Sequence, residues 1–489
     1  MSSKSTMLSC LPSFMKLRKT TNIALILCAF SASVLSAETI TVLHSFDNGT
    51  DGSYPWGALV QGTNGDFYGT ASGGGANSQG VVFKITAAGV FSTVYSFCSQ
   101  GGTACTDGEQ PRMGLILDSN GYLYGTTLFG GANNRGTVYK LSPSGKLTTL
   151  YSFCNLESCA DGWAPYGLLL QASNGDLYGT TSSAGKYNAG TIFDITTAGV
   201  LTTLHSFCAT SGCPDGEDPY AGLIQAGNGD FYGTTSEEGA NGSGGTVFKL
   251  IGDAVTTLYS FCSQGGSDCT DGSDPNGGLV IGPNGDFYGV TEAGGLYSNE
   301  GAVFEITPGG ALTTLYSFCG GDDCTGGQIP RGGLILGSDG NFYGTTSGGY
   351  GTIYKITPSG ALTTLAAFDN TNGSGPYDAP VQGTNGVFYG TTNGGGPHGY
   401  GVIWSLSTGL APFVKTLPSS GKVGASVEIL GSDLTGATSV SFNGTAAVFK
   451  VASASEITTK VPSGATTGNV TVVTPSGALT SRAAFDVVP

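Results

Sequence analysis

Seven residues in this chain each stand directly after the proline that opens one copy of a recurring phrase: Trp56, Arg112, Tyr166, Tyr220, Asn276, Arg331 and Tyr377. Four aromatics, two arginines and an amide, if gathered into a ring, would suit a sugar or a polyanionic glycan. Aromatic faces stack on pyranose C–H surfaces, and arginine pairs with carboxylates. The structural alternative is that the same side chains plug a channel or pack against a neighbouring loop.

The cysteines beyond residue 37 fall into five local pairs: Cys98/Cys105, Cys154/Cys159, Cys208/Cys213, Cys262/Cys269 and Cys319/Cys324. In an exported protein such pairs read as five disulfides, each within one loop. Closing so short a ring contributes about 2 kcal/mol in the chain-entropy model. Metal binding is the rival reading, but no His accompanies any pair, and two cysteines supply only half a zinc shell. Asp51, Asp107, Asp161, Asp215 and Asp271 lie four residues before the proline and are always followed by Gly; Gly326 and Asn372 replace them in the other two copies. A calcium site and a carboxylate-capped turn both account for them.

Catalysis has little to draw on. The histidines are His44, His205 and His398, and the first two occupy a strand position held by Tyr in other copies, so they read as packing variants. No nucleophile elbow or histidine metal cluster is present. Loop carboxylates at Glu109, Glu217, Asp218, Glu237, Glu238 and Asp274 leave a paired-carboxylate hydrolase or lyase open, although their spacing selects no two of them. No cofactor and no metal is called for.

The elements that must position these residues follow from the repeat. Pro55, Pro111, Pro165, Pro219, Pro275, Pro330 and Pro376 are each followed thirteen residues later by a tyrosine: Tyr68, Tyr124, Tyr178, Tyr232, Tyr288, Tyr343 and Tyr389. The tyrosines lie 56, 54, 54, 56, 55 and 46 residues apart, a period that marks a repeat architecture. Within residues 330–368, short apolar, aromatic and β-branched runs at 333–336, 341–346, 351–356 and 361–368 alternate with Asp-Gly, Gly-rich and Ser-Gly turns, which spells four antiparallel strands. Seven such units predict an all-β, seven-bladed β-propeller over 38–409. Six fourth strands end at Phe97, Phe153, Phe207, Phe261, Phe318 and Phe368, and nothing equivalent follows Trp404; residues 39–46 match the pattern and are expected to complete the last blade. The constant tyrosines read as core between blades. Alternating turns put the Cys loops and the Gly-rich loops on one face, where binding residues usually lie.

Residues 1–37 read as a secretory signal, with Lys16, Arg18 and Lys19 before an apolar run from Ile23 to Leu35. Without it the chain holds 14 Lys+Arg (18 less 4) against 34 Asp+Glu, a formal charge of −20. That surface repels nucleic acid and anionic lipid. No integral membrane segment is expected once the signal is removed.

The phrase Asn-Gly-Asp-Phe-Tyr-Gly-Thr-Thr, a Gly-rich loop and Gly-Thr-Val-Phe-Lys-Leu at 228–250 resembles the choice-of-anchor tandem repeat called GloVer, over roughly residues 39–406. That family is named for bacterial surface proteins, whereas no anchor is visible here. The order of proline, Gly-Leu strand, turn and aromatic strand also resembles NHL-type propellers, in which the Gly-Leu strand is innermost. That analogy places the residue after each proline at the mouth of a central channel. Residues 410–489 resemble an IPT/TIG domain, an immunoglobulin-like sandwich, through Gly424-Ala425-Ser426-Val427-Glu428-Ile429-Leu430-Gly431, Val440-Ser441-Phe442-Asn443-Gly444 and Val461-Pro462-Ser463-Gly464; such modules serve as spacers or adhesion units. The combined expectation is a monomeric, secreted or cell-surface, non-enzymatic protein that binds extracellular polysaccharide or a surface protein. The alternatives are a polysaccharide-active hydrolase or lyase and a structural envelope protein.

Overall fold

Every turn expected between the apolar runs reverses the chain, and the runs pair as antiparallel strands. The computed structural model describes residues 38–488 apart from 119, 266–267, 298 and 321–323; the expected leader, 1–37, lies outside them. Residues 41–406 form seven four-stranded antiparallel sheets. The first contains Val60–Gln61, Phe67–Ala71, Val81–Ile85 and Phe91–Ser96 in that hydrogen-bonded order, and five more repeat it along the chain. The last joins Val381–Gln382, Phe388–Thr392 and Val402–Leu406 to Thr41–Ser45 from the start of the chain, with Thr41 opposite Ser405 and Ser45 opposite Val402.

The sheets pack face to face in sequence order. The constant tyrosines make these contacts: the rings of Tyr178 and Phe231, Tyr232 and Phe287, and Tyr288 and Phe342 each lie 4.2 Å apart across a sheet boundary. Tyr389 of the last sheet meets Phe67 of the first at 4.0 Å, and one apolar cluster unites Phe46, Tyr389 and Ile403 with Leu59, Phe67 and Phe83. The order of packing is therefore cyclic. The Thr that follows Tyr-Gly adds a hydrogen bond across the same boundaries: Thr70 Oγ1 donates to Met113 O at 2.8 Å, Thr180 Oγ1 to Ala221 O at 3.0 Å, and Thr391 Oγ1, from the last repeat, to Gly57 O of the first at 3.3 Å.

The Gly between Tyr and Thr has a steric reason. A Cβ on Gly233 would lie 2.6 Å from the Phe248 ring and 2.8 Å from Leu223, closer than carbon atoms approach. The first strand of each sheet is shorter than the four residues expected: only Ile335–Leu336 of 333–336 pairs as strand. Where seven inner segments converge, their backbones touch. A Cβ on Gly333 would meet Gly278 O at 2.9 Å and one on Gly277 would meet Gly333 Cα at 3.0 Å, so the chain bends there instead of extending its ladder.

Residues beyond 412 form two further four-stranded sheets. One contains Lys415–Leu417, Ser426–Leu430, Glu456–Lys460 and Phe449–Val451, the other Thr445–Ala447, Ser439–Phe442, Val470–Thr474 and Gly477–Thr480. Val427, Ile429, Phe442, Val470 and Phe485 share the core between them. This unit is not a free spacer. It lies on the tight turns of the ring, where Phe413 N donates to Thr384 O at 2.9 Å, Ser432 Oγ meets Thr384 Oγ1 at 3.0 Å, and Ser455 Oγ donates to Thr63 O at 2.7 Å.

Gly233→Ala is expected to destabilise the ring by roughly 1–3 kcal/mol, the usual range for overpacking a filled core; urea unfolding of the full chain would read it. A change within a few tenths of a kcal/mol would contradict the close approach.

Candidate ligand-binding site at the centre of the ring

The seven two-residue inner strands leave a cavity of about 800 Å³ between them. Trp56, Arg112, Tyr166, Tyr220, Asn276, Arg331 and Tyr377 all line it. The position after the proline is thus one level of the ring, because each repeat sets its proline at the same point where the loop enters the inner strand.

These side chains touch one another. Trp56 stacks on Tyr377 with centroids 4.4 Å apart and planes 12° from parallel. Arg112 lies 5.0 Å over Trp56, and its Nη1 donates to the Tyr166 hydroxyl at 2.9 Å. Tyr166 meets Tyr220 edge to face at 5.0 Å. On the other flank Arg331 lies 5.0 Å over Tyr377 and pairs with Glu292 at 2.7 Å, while Asn276 Nδ2 donates to Glu292 at 2.6 Å. One run of contacts therefore leads from Tyr220 through Trp56 to Asn276. Arg331 is neutralised by Glu292; Arg112 has no carboxylate partner among the described residues, and its Nε is buried without an acceptor.

Sequence reasoning missed two carboxylates in this cavity. Glu292 stands where the other copies have Ser72, Leu128, Ser182, Ser236, Ser347 and Asn393, and that lone acidic substitution beside Tyr-Gly-Val-Thr was the available signal. Asp378 occupies the second position after its proline, held elsewhere by Gly57, Met113, Gly167, Ala221, Gly277 and Gly332. Its carboxylate accepts from Ala58 N and Ala379 N at 2.7 Å each, bridging the last repeat to the first. Burial pushes the Asp378 carboxyl up to about 6.

An acidic arc rims the same side as Glu292. The residue before each proline is left-handed, at φ 55° for Asp218 and 56° for Asp274. Burial first, then Glu237 and Glu217, raises Asp218 to about 6; burial, then Glu292 and Glu237, raises Asp274 to about 6. Of the loop carboxylates singled out above, Glu217, Asp218, Glu237, Glu238 and Asp274 fall within one another's fields, whereas Glu109 is raised by burial alone.

The aspartates four before the proline are staples inside the loops. Asp107 accepts from the Tyr95 hydroxyl at 2.7 Å, Ser99 N at 2.9 Å and Gln100 N at 3.2 Å. Asp161 and Asp271 repeat this with Tyr151 and Tyr259, and His44 and His205 replace the tyrosine on Asp51 and Asp215 at 2.9 and 3.0 Å. A register shift in each last pair of strands, as between Val82 and Phe83, is the kind of bulge that re-aims a side chain. Protein donors thus occupy these carboxylates. The signal was pairwise: the copies with Gly326 or Asn372 pair them with Tyr316, left without an acid, or with Ala366 in place of the ring. The five cysteine pairs are disulfides: Cys98–Cys105, Cys154–Cys159, Cys208–Cys213, Cys262–Cys269 and Cys319–Cys324. Among the described residues no group of three or more His, Cys, Asp or Glu is placed to hold a metal ion.

Asp274 carries a folded-state pKa above its unfolded one, so its contribution to stability is fully present below the unfolded value and is lost as pH rises through about 6. Asp274→Asn, which keeps a residue tolerant of the left-handed backbone, is expected to stabilise the protein by about 1 kcal/mol at pH 7.5, once solvent screening of a partly exposed group is allowed for. The gain should shrink toward pH 4, as thermal melts at both pH values would read. An equal gain at both would remove the electrostatic account.

The model of the Gloeobacter/Verrucomicrobia repeat matches residues 102–271, 157–349 and 267–446, and that of the IPT/TIG domain matches 412–486. No curated protein matches the chain. Among solved structures, a fungal alcohol oxidase of the AA5 family in complex with copper is similar at 13% identity and TM-score 0.52, covering 93% of this chain and 100% of its own. The extracellular domain of a protein assigned as a hybrid two-component system in B. thetaiotaomicron is similar at 14% identity and TM-score 0.52, covering 89% of this chain and 52% of its own. Likeness at such identities speaks to the fold alone.

Proposed function

Because the chain belongs to the Gloeobacter/Verrucomicrobia repeat family, with an IPT/TIG domain behind the repeats, we propose that it is an extracellular, non-enzymatic binding protein. On this reading the seven sheets are the blades of a seven-bladed β-propeller spanning about 38–409, closed by the N-terminal strand and followed by an immunoglobulin-like domain over 410–489. Five loop disulfides fit an oxidising compartment outside the cytoplasm.

The observation that carries the binding role is the stacked, interlocked set at the cavity mouth. Trp56 and Tyr377 form a stacked aromatic pair flanked by Arg112 and Arg331, and no carboxylate among the described residues pairs with Arg112. A pyranose fits against the cavity-facing edges of this stack, with its ring C–H groups on the aromatic edges and its hydroxyls or carboxylate on Arg112, Asn276 and the Glu292–Arg331 pair. The ligand class is therefore an extracellular glycan.

The acidic arc favours one other reading. Carboxyls held near 6 at Asp218 and Asp274 keep protons that a glycosidic bond would need, so a polysaccharide hydrolase or lyase is the second candidate. A panel of neutral and acidic polysaccharides, followed for both binding and release of reducing ends, separates the two. Saturable binding without product, weakened at least tenfold in Trp56→Ala and in Tyr377→Ala, is expected. Product release lost in Asp274→Asn would replace the binding reading with the enzymatic one, and absence of any binding would remove both.

A further inference from the structure

The end of the central cavity opposite the ring of aromatics has a chemistry of its own. Gln382 pairs with Phe388 at the end of the last inner strand, while Gly383 N donates to Val387 O one position on. Antiparallel pairing alternates, so the Gln382 carbonyl leaves the strand on its unpaired edge, toward the axis of the ring. The same register, Leu336 opposite Phe342 with Gly337 N donating to Asn341 O, turns the Leu336 carbonyl the same way. Val381 and Ile335, one residue earlier, line the cavity, as does Gln171, the counterpart of Gln382 in the third repeat.

Both carbonyls are met by cations from the C-terminal domain. Lys415 Nζ donates to Gln382 O at 2.7 Å and Arg482 Nη1 donates to Leu336 O at 2.6 Å. The Phe413 ring lies 5.5 Å from the ammonium and 5.7 Å from the guanidinium. The domain that sits on the tight turns thus sets two basic side chains against the inner carbonyls that directly follow Val381 and Ile335, the last residues of these strands to line the cavity.

Among the described residues no carboxylate forms an ion pair with either Lys415 or Arg482; the ion pairs there involve His44, Lys84, His205, Lys249 and Arg331. Among the described residues each donates one hydrogen bond, from three N–H groups on the ammonium and five on the guanidinium. Burial, and then the neighbouring Arg482, holds Lys415 well below its usual range, and burial lowers Arg482 to about 10. Yet neither side chain is fully buried. Enclosed charge without a counter-charge is costly, and this chain has few cations to spend, 14 beyond residue 37.

We propose that Lys415 and Arg482 form an oxyanion site at the floor of the central cavity, taking a carboxylate or sulfate group. That group comes either from a free anion or from the acidic end of a chain entering by the aromatic mouth. The site does not depend on the mouth reading, since a small anion needs no stacking platform.

The test uses the full chain without residues 1–37 and follows acylation of Lys415 by a small reagent, read by peptide mass spectrometry. Sodium sulfate or a galacturonate trimer is expected to slow the reaction at least fivefold relative to sodium chloride of equal ionic strength. A neutral galactose trimer is expected to leave it unchanged. Protection by sulfate as strong as by the trimer identifies a free anion as the source. Protection by the trimer that is stronger and falls in Trp56→Ala identifies an acidic sugar chain spanning mouth and floor. In Arg482→Met, which leaves Lys415 to be read in the same way, protection by either anion should be lost. Equal acylation rates in sulfate, galacturonate and chloride, or protection that persists in Arg482→Met, would overturn the site even if glycans still bind at the mouth.

Discussion

The ring depends on one close approach, repeated at every sheet boundary. A sheet can lay its tyrosine on the next sheet's phenylalanine, or on Leu123 or Leu177 in two copies, only if the residue after that tyrosine has no side chain, because the aromatic of its own third strand fills the space a Cβ would take. Tyr, Gly and Thr thus act as a unit: ring against ring, backbone against ring, hydroxyl to the next inner carbonyl. Val290 replaces the Thr in one copy and Thr234 Oγ1 finds no acceptor in another, yet both keep the packing, which separates the two contributions: apolar fit is kept at every boundary, whereas the hydrogen bond is made at five of seven.

Convergence of the seven inner segments has a second consequence. Near the axis there is room for backbone but little for side chains, so glycine and alanine dominate the positions just after the ring residues, and the inner strands shorten. The residue immediately after each proline sits where the segments begin to separate. It has space for a large side chain in every copy, which is why Trp, Tyr and Arg can meet in one contact run. Asp378 departs from the small-residue rule, and its carboxylate is spent on the seam between the last repeat and the first.

Much of this was legible before any coordinates. The period, the strand count and the return of the N-terminal strand follow from local patterns, since hydrophobic alternation and turn chemistry are properties of contiguous residues. The ring positions were legible because a repeat converts sequence phase into spatial level. Glu292 and the tyrosine–aspartate staples were harder to see: Tyr95 and Asp107 are twelve residues apart, and only the co-occurrence of ring and acid across copies hinted that they meet. The turn reading of those aspartates is the one the hydrogen bonds fit, since fourth-strand rings and loop amides donate to their carboxylates.

The amino-acid sequence by itself determined the repeat architecture, the five cysteine pairs and the identity of the seven residues at the mouth, because each is encoded within one period of the chain. Only the tertiary structure decided that those seven enclose a single cavity with Glu292 and Asp378 among them, and that the C-terminal domain sets Lys415 and Arg482 against the inner-strand carbonyls of Gln382 and Leu336. Such placements join residues separated by up to hundreds of positions through packing across sheet and domain boundaries, and no local periodicity carries that information.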